Sequence, residues 1–181
     1  MNGIQTFLEL LKYVVPALIV LIATSVIVRR FLLTETKIKQ LELLREKQDD
    51  TIRLRLHAYE RLVLFIERIH PRQLVPRIYH SNMSVAELQA AIVVNIRAEF
   101  EHNLSQQIYV SRMVWDTVRQ TKEQELSMVN SIASQLNPED AGRELHKRIV
   151  DYLMTVDGQL PTDTALQIIN EEAKSVLLGE A

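Results

Sequence analysis

Two pairs of glutamate and histidine at one spacing are the residues of this sequence best suited to chemistry. Glu67 with His70, and Glu99 with His102, both form a Glu-x-x-His pattern. Residues three apart lie on the same face of a helix, so each pair could hold one ion. In di-iron helical bundles two such pairs bind the metals together with one Glu from each of two other helices.

The surroundings of these pairs favour exposed surface residues over metal ligands. His70 directly precedes Pro71, where a helix is expected to end, and Glu67 lies beside the apolar stripe of its segment. Glutamates that other helices could add stand at positions predicted to face solvent: Glu123, Glu125 and Glu144. We therefore predict no metal site and no cofactor. The alternative interpretation is a metal-binding protein or enzyme, whose ligands would be Glu67, His70, Glu99 and His102.

Other catalytic templates are missing from the sequence. There is no cysteine, which excludes a thiol nucleophile and Cys-ligated metal centres, and the four glycines are scattered singly, which excludes a P-loop or dinucleotide fingerprint. Neither HExxH nor GxSxG occurs. A net charge of -2 gives no basic field for nucleic acid. The sequence thus predicts no catalytic residue, no enzyme and no nucleic-acid partner.

An uncharged apolar run over residues 13–28 (YVVPALIVLIATSVIV) dominates the amino-terminal part. A helix that crosses a bilayer needs about 20 apolar residues, so the run alone is short. Flanking apolar residues extend it: Phe7, Leu8, Leu10, Leu11, Phe31, Leu32 and Leu33. Lys12, Arg29 and Arg30 have long stems that reach the interface. We predict a membrane anchor over residues 1–33 that contacts the bilayer through residues 13–28 and their flanks, with these three cations at its surface.

A cleaved signal peptide and a buried core helix are the alternative interpretations of the run. Three features argue against a signal peptide. Glu9 stands where a basic leader is expected, no small-x-small cleavage site follows the run, and the run stops abruptly at Arg29. A core helix would have to bury an apolar surface on all sides. Pro16 either occupies the first helical turn or kinks a helix that begins nearer Ile4.

Flanking charge predicts the orientation of the anchor. Arg29, Arg30, Lys37 and Lys39 follow the run, whereas Lys12 alone precedes it. Positive residues stay on the cytoplasmic side, so we expect the amino terminus outside and the body of the protein in the cytoplasm.

Residues 34–51 are mostly charged or amide side chains and predict a juxtamembrane helical stalk. Arg45 and Gln48 interrupt the apolar seam that begins at Ile38 and Leu41, which argues against a coiled coil. Association of the protein with a second copy through this segment stays open.

Residues 52–181 predict one cytoplasmic bundle of about five helices, because apolar side chains recur at helical spacing and no strand pattern occurs. Residues 52–69 form the first helix and residues 70–83 an extended connection. Caps at Ser84, Ser111 and Asn137 begin three more helices, and the last covers about residues 163–178. Apolar residues expected inward include Tyr59, Phe65, Leu88, Ile92, Val118, Val129, Ile149, Tyr152, Ile169 and Leu177. The fold class is therefore all-α.

The stretches AYERLVLFIERI (58–69) and EFEHNLSQQIYVS (99–111) resemble a family of uncharacterised single-pass membrane proteins of Bacteroidota. The resemblance implies a bacterial inner-membrane protein and carries no assigned activity. With the anchor and the patterned helices, it leads us to expect an accessory or scaffold subunit that tethers a helical domain to the membrane and binds unidentified protein partners.

Overall fold

The computed structural model describes residues 2–155 and 158–179, and only some of the side chains before residue 46. Regular structure in this part of the chain is helical, so the predicted all-α fold is confirmed. The helices are α1 (Asn2–Ile69), α2 (Pro71–Ile78), α3 (Val85–His102), a 3₁₀ helix (Leu104–Ile108), α4 (Arg112–Ala133), α5 (Gly142–Thr155) and α6 (Pro161–Leu178). They form two compact units, Met1–Asp50 and Thr51–Ala181, and α1 contributes residues to both.

The first unit contains a helical window that is long and apolar enough to cross a membrane. Val14–Phe31 covers 18 residues with a mean hydropathy of 2.0, and 0% of the window is buried against the rest of the chain. A signal sequence satisfies the same criteria of length and composition. Pro16 lies inside α1, so the interpretation that placed it in the first helical turn is wrong. The flanking side chains of Leu8, Leu10, Leu11, Leu32 and Leu33 fall outside the described ones.

Apolar side chains from α1 to α6 build the core of the second unit. The stripe expected on the last turns of α1 is confirmed, since Leu62, Phe65 and Ile66 are at most 1% exposed. They belong to one cluster with buried residues of α3, α4, α5 and α6, among them Leu88, Ile92, Val118, Ile149 and Ile169. The helical spacing of apolar residues therefore predicted the core, as expected for helices stabilised by packing.

Two of the residues expected inward face outward instead. Tyr152 is 43% exposed and Leu177 is 61% exposed, whereas Val176 is buried. Ile169 and Val176 are seven apart, about two helical turns, which places them on one face of α6 and turns Leu177 away from it.

The connection expected to be extended between α1 and α3 contains the helix α2. His70 is its N-cap, and Nδ1 of the imidazole accepts a hydrogen bond from the backbone N–H of Arg72 at 3.1 Å. Burial lowers the pKa of His70, which keeps the ring neutral and Nδ1 free to accept. Pro71 occupies the first helical turn, where its missing N–H costs nothing, and the buried Leu74 and Val75 anchor the helix in the core.

The segment from Asn137 to Ala141, expected to start a helix, forms a turn that pairs with the start of α3. The backbone N–H of Val85 donates to the carbonyl of Asp140 at 2.8 Å, and that of Gly142 donates to the carbonyl of Met83 at 2.7 Å. Asn137 does cap a turn, because its side chain accepts from the N–H of Glu139, but α5 begins only at Gly142.

Gly142 lies where two backbone segments approach each other too closely for a side chain. A Cβ at this position would stand 2.9 Å from the carbonyl oxygen of Met83 and 3.1 Å from that of Ser84. We expect Gly142→Ala to lower the free energy of unfolding by about 1–3 kcal/mol, because backbone rather than a flexible side chain must shift. Urea unfolding followed by circular dichroism measures it. Arg143→Ala, at the exposed next position, is the control and should change stability little; equal stability of Gly142→Ala and the natural protein would contradict the prediction.

Candidate functional site

Three of the four residues in the two Glu-x-x-His pairs, Glu67, His70 and Glu99, bind neighbouring side chains or backbone in the structure. Glu67 accepts a hydrogen bond from Gln73 at 2.7 Å, and Glu99 forms an ion pair with Arg68 at 3.1 Å. His70 caps α2, and His102 is exposed at the end of α3. Among the described residues, no three His, Asp or Glu side chains lie close enough together to hold a metal ion. The carboxylates of the two pairs serve contacts within the bundle instead.

A polar cluster after α3 fixes the turn into the 3₁₀ helix. Asn103 is buried; its amide nitrogen donates to the carbonyl of Glu99 at 2.7 Å and its amide oxygen accepts from Arg61 at 3.2 Å. Arg61 also donates to the carbonyl of His102. Carbonyls that the helix end leaves without partners are thereby satisfied, which is a structural role.

A concave site of the second unit lies between α4, α5 and the start of α6. Its volume is about 490 Å³, within the range of small-molecule sites. We call it the Glu125 cavity. Polar side chains of α4 and apolar side chains of all three helices line it, among them Glu125, Met128, Ile132, Tyr152, Leu153 and Leu160.

Glu125 is the buried acid of this cavity. It is 5% exposed, and none of the described residues donates a hydrogen bond to its carboxyl group or forms an ion pair with it. Burial raises the pKa of this carboxyl to about 7, since a charge without partners is costly in an apolar surrounding. Our expectation that Glu125 faces solvent is therefore wrong. The sequence did contain a signal, because Val118, Glu125, Val129 and Ile132 share one helical spacing, and an acid on an apolar stripe is exceptional.

A second carboxylate, Glu172 on α6, joins three elements of the unit. It accepts hydrogen bonds from the hydroxyl of Tyr59 on α1 at 2.6 Å and from the backbone N–H of Ser111 at 2.9 Å. The hydroxyl of Ser111 bonds its other oxygen, and the same hydroxyl accepts from the N–H of Val114 as the N-cap of α4. Arg55 in turn donates to the hydroxyl of Tyr59 at 3.2 Å. We call these four residues, Arg55, Tyr59, Ser111 and Glu172, the Glu172 network.

Hydrogen bonds decide the protonation state of this network. Burial alone would raise the pKa of Glu172, but the bonds from Ser111 and Tyr59 and the nearby charge of Arg55 lower it below its ordinary value. Burial and the bond to Glu172 raise the pKa of Tyr59. The carboxylate is therefore ionised and the phenol protonated at neutral pH. No local sequence pattern indicates this site, because its members lie far apart in the chain.

Comparison with known proteins places both units in one family. Residues 5–176 match the family described as a family of unknown function (DUF7935). The chain belongs to this family. The matched range contains the window Val14–Phe31 as well as Glu125 and Glu172, so the family is defined over both units. No curated protein and no solved structure matches the chain.

Proposed function

We propose that the protein is a membrane-anchored interaction module, an accessory or scaffold subunit of a bacterial inner-membrane assembly. The observation that carries the proposal is the window Val14–Phe31, whose apolar surface is 0% buried against the rest of the chain. Exposure of such a surface to water would cost considerable free energy, whereas the hydrocarbon layer of a bilayer would bury it.

The charges that flank the apolar run of residues 13–28 support an orientation with the amino terminus outside. Arg29, exposed directly after the run, and Lys12, exposed before it, have stems long enough to place their charges at the two interfaces. The excess of positive residues after the window favours a cytoplasmic location for the second unit. The resemblance of residues 58–69 and 99–111 to single-pass proteins of Bacteroidota supports a bacterial inner membrane.

Tethering is the mechanism that we propose. A helical domain confined to a membrane surface meets membrane-bound partners at a much higher effective concentration than a freely diffusing one. This requires no reacting group, and it agrees with the ion pair of Arg68 with Glu99, which occupies a carboxylate that the alternative metal site would need.

Three versions of the protein test the tether against a signal-sequence role. They are the natural chain, a chain whose residues 1–33 are replaced by an unrelated single-pass anchor of the same orientation, and a chain that lacks residues 1–33. After crosslinking in cells, we expect the two anchored versions to recover the same membrane proteins and the third to lose them. Circular dichroism checks that each version is folded.

The same cells test the orientation and the retention of the anchor. A fluorescent reporter at the carboxyl terminus should be active in the cytoplasm, and the mass of the purified protein should include residues 13–28. Cleavage after the apolar run, export of the reporter, or recovery of the same partners without an anchor would contradict the proposal.

A further inference from the structure

The Glu125 cavity has the composition of a site for a small organic cation. Glu125 is a buried residue whose carboxyl group has no partner among the described residues, and it contributes the one acidic side chain of the described lining. A buried acid without a partner is destabilising, and proteins tolerate such a group mainly where it has a function.

The charges around the cavity favour a positive occupant. Within the described part of the chain, the lining contains no Lys, Arg or His, and Tyr152 of α5 is its one other titratable side chain. Leu160 and Pro161 at the start of α6 add no charge. The described lining of the cavity therefore presents one acid and no base to an occupant.

Three charged side chains close to the cavity in the chain are directed elsewhere. Lys122 stands three residues before Glu125 on α4, but its ammonium pairs with Glu123 at 2.7 Å and lies over the ring of Phe100. Arg148 and Asp151 of α5 line an adjoining groove rather than the cavity. None of these groups supplies the missing partner of Glu125.

The remaining lining favours an apolar body on that occupant. Met128, Ile132, Leu153 and Leu160 supply aliphatic and thioether surface, and the ring of Tyr152 lies partly exposed beside them. An aromatic ring attracts an organic cation through its π face, and apolar surface gains free energy when a ligand covers it. When Glu125 is ionised, it would repel an anion, and a neutral molecule would leave its charge unpaired.

We propose that the Glu125 cavity binds a small organic amine, whose ammonium group pairs with the carboxylate of Glu125 while its apolar body lies against α4 and α5. Where Glu125 is protonated before binding, its proton leaves to solvent as the ammonium arrives, so one proton is released for each amine bound. The ligand class follows from the cavity alone and does not depend on the membrane tether.

Fluorine NMR on the full chain in nanodiscs of phosphatidylcholine tests the proposal. The probes are 4-fluorophenethylamine and its neutral counterpart 2-(4-fluorophenyl)ethanol, with empty nanodiscs as the blank. At about pH 8, where Glu125 is ionised, we expect saturable binding of the amine at millimolar or lower concentrations and at least about tenfold weaker binding of the alcohol.

Two matched variants separate Glu125 from general charge effects. Glu125→Gln should weaken amine binding at least about tenfold, whereas Glu123→Gln, which removes the same charge from an exposed position of α4, should leave it unchanged. Circular dichroism and the fluorescence of Trp115 verify that both variants are folded. No saturable amine binding, equal binding of the alcohol, or full binding by Glu125→Gln would each overturn the proposal.

Discussion

Replacing Glu172 by alanine is expected to lower the free energy of unfolding by roughly 3 kcal/mol at neutral pH, because several hydrogen bonds lose their acceptor at once. The hydroxyl of Tyr59, a buried residue, and the N–H of Ser111 are left without this partner. The substitution therefore removes hydrogen bonds that connect α6 with α1 and with the N-cap of α4.

The acid dependence of stability provides a second readout of the same site. The pKa of Glu172 is lowered in the folded state, so its contribution is present above the ordinary value of 4.5. It is lost as the pH falls through the lower folded-state value, where the folded carboxylate takes up a proton. Glu172→Ala should remove this part of the acid sensitivity.

Urea unfolding of the full chain in detergent measures both effects, with the fluorescence of Trp115 as the signal. Trp115 is the single tryptophan and stacks on Phe100 with ring centroids 5.5 Å apart, so its emission reports on packing of the second unit. Glu171→Ala is the matched control, because Glu171 is exposed on the same helix and should contribute little. Equal stabilities of the Glu172 and Glu171 variants would show that the network carries no net stabilisation.

Glu125 is expected to have the opposite effect on stability. Its pKa is raised from 4.5 to about 7, so the unfolded chain ionises this group first as the pH rises. The contribution of Glu125 to stability is therefore most favourable below about pH 4.5, falls between about pH 4.5 and 7, and levels off above, with a total loss of roughly 3 kcal/mol.

Glu125→Gln should remove this fall, so that the variant is more stable than the natural protein at about pH 8 and similar to it at about pH 4. Urea unfolding across this pH range measures the difference, with Glu123→Gln as the exposed control. A Glu125→Gln variant with the same pH profile as the natural protein would contradict the raised pKa. A gain in stability on removal of a native side chain is the behaviour of a residue kept for function.

Local patterns predicted the parts of the fold that depend on local physics. The stripe with Leu62 and Phe65 follows from apolar spacing, and the start of α3 follows from a capping box in which Ser84 and Glu87 bond each other's backbone. The same reasoning misses α2, because Pro71 indicates the end of one helix and is equally suited to the first turn of the next.

The positions of Glu125 and Glu172 were beyond such patterns for different physical reasons. Glu125 lies on an apolar stripe, but because it is a charged residue we predicted a solvent-facing position. Its burial depends on α5 and the start of α6, which cover it. Glu172 meets Tyr59 and Ser111 across separations of 113 and 61 residues, and helical periodicity contains no information on contacts of that range. The two Glu-x-x-His pairs show the converse, because their matching spacings did not produce a group of three or more possible metal ligands among the described residues.

The bond between Tyr59 and Glu172 also sets an order of events during synthesis. Tyr59 leaves the ribosome long before Glu172, which lies in the last helix. This bond can therefore form only after nearly the whole second unit has been synthesised. Loop-closure entropy makes so distant a contact slow to form. Until then the apolar stripe of α1 is without its final cover, and the nascent chain passes through a period in which chaperones have a surface to bind.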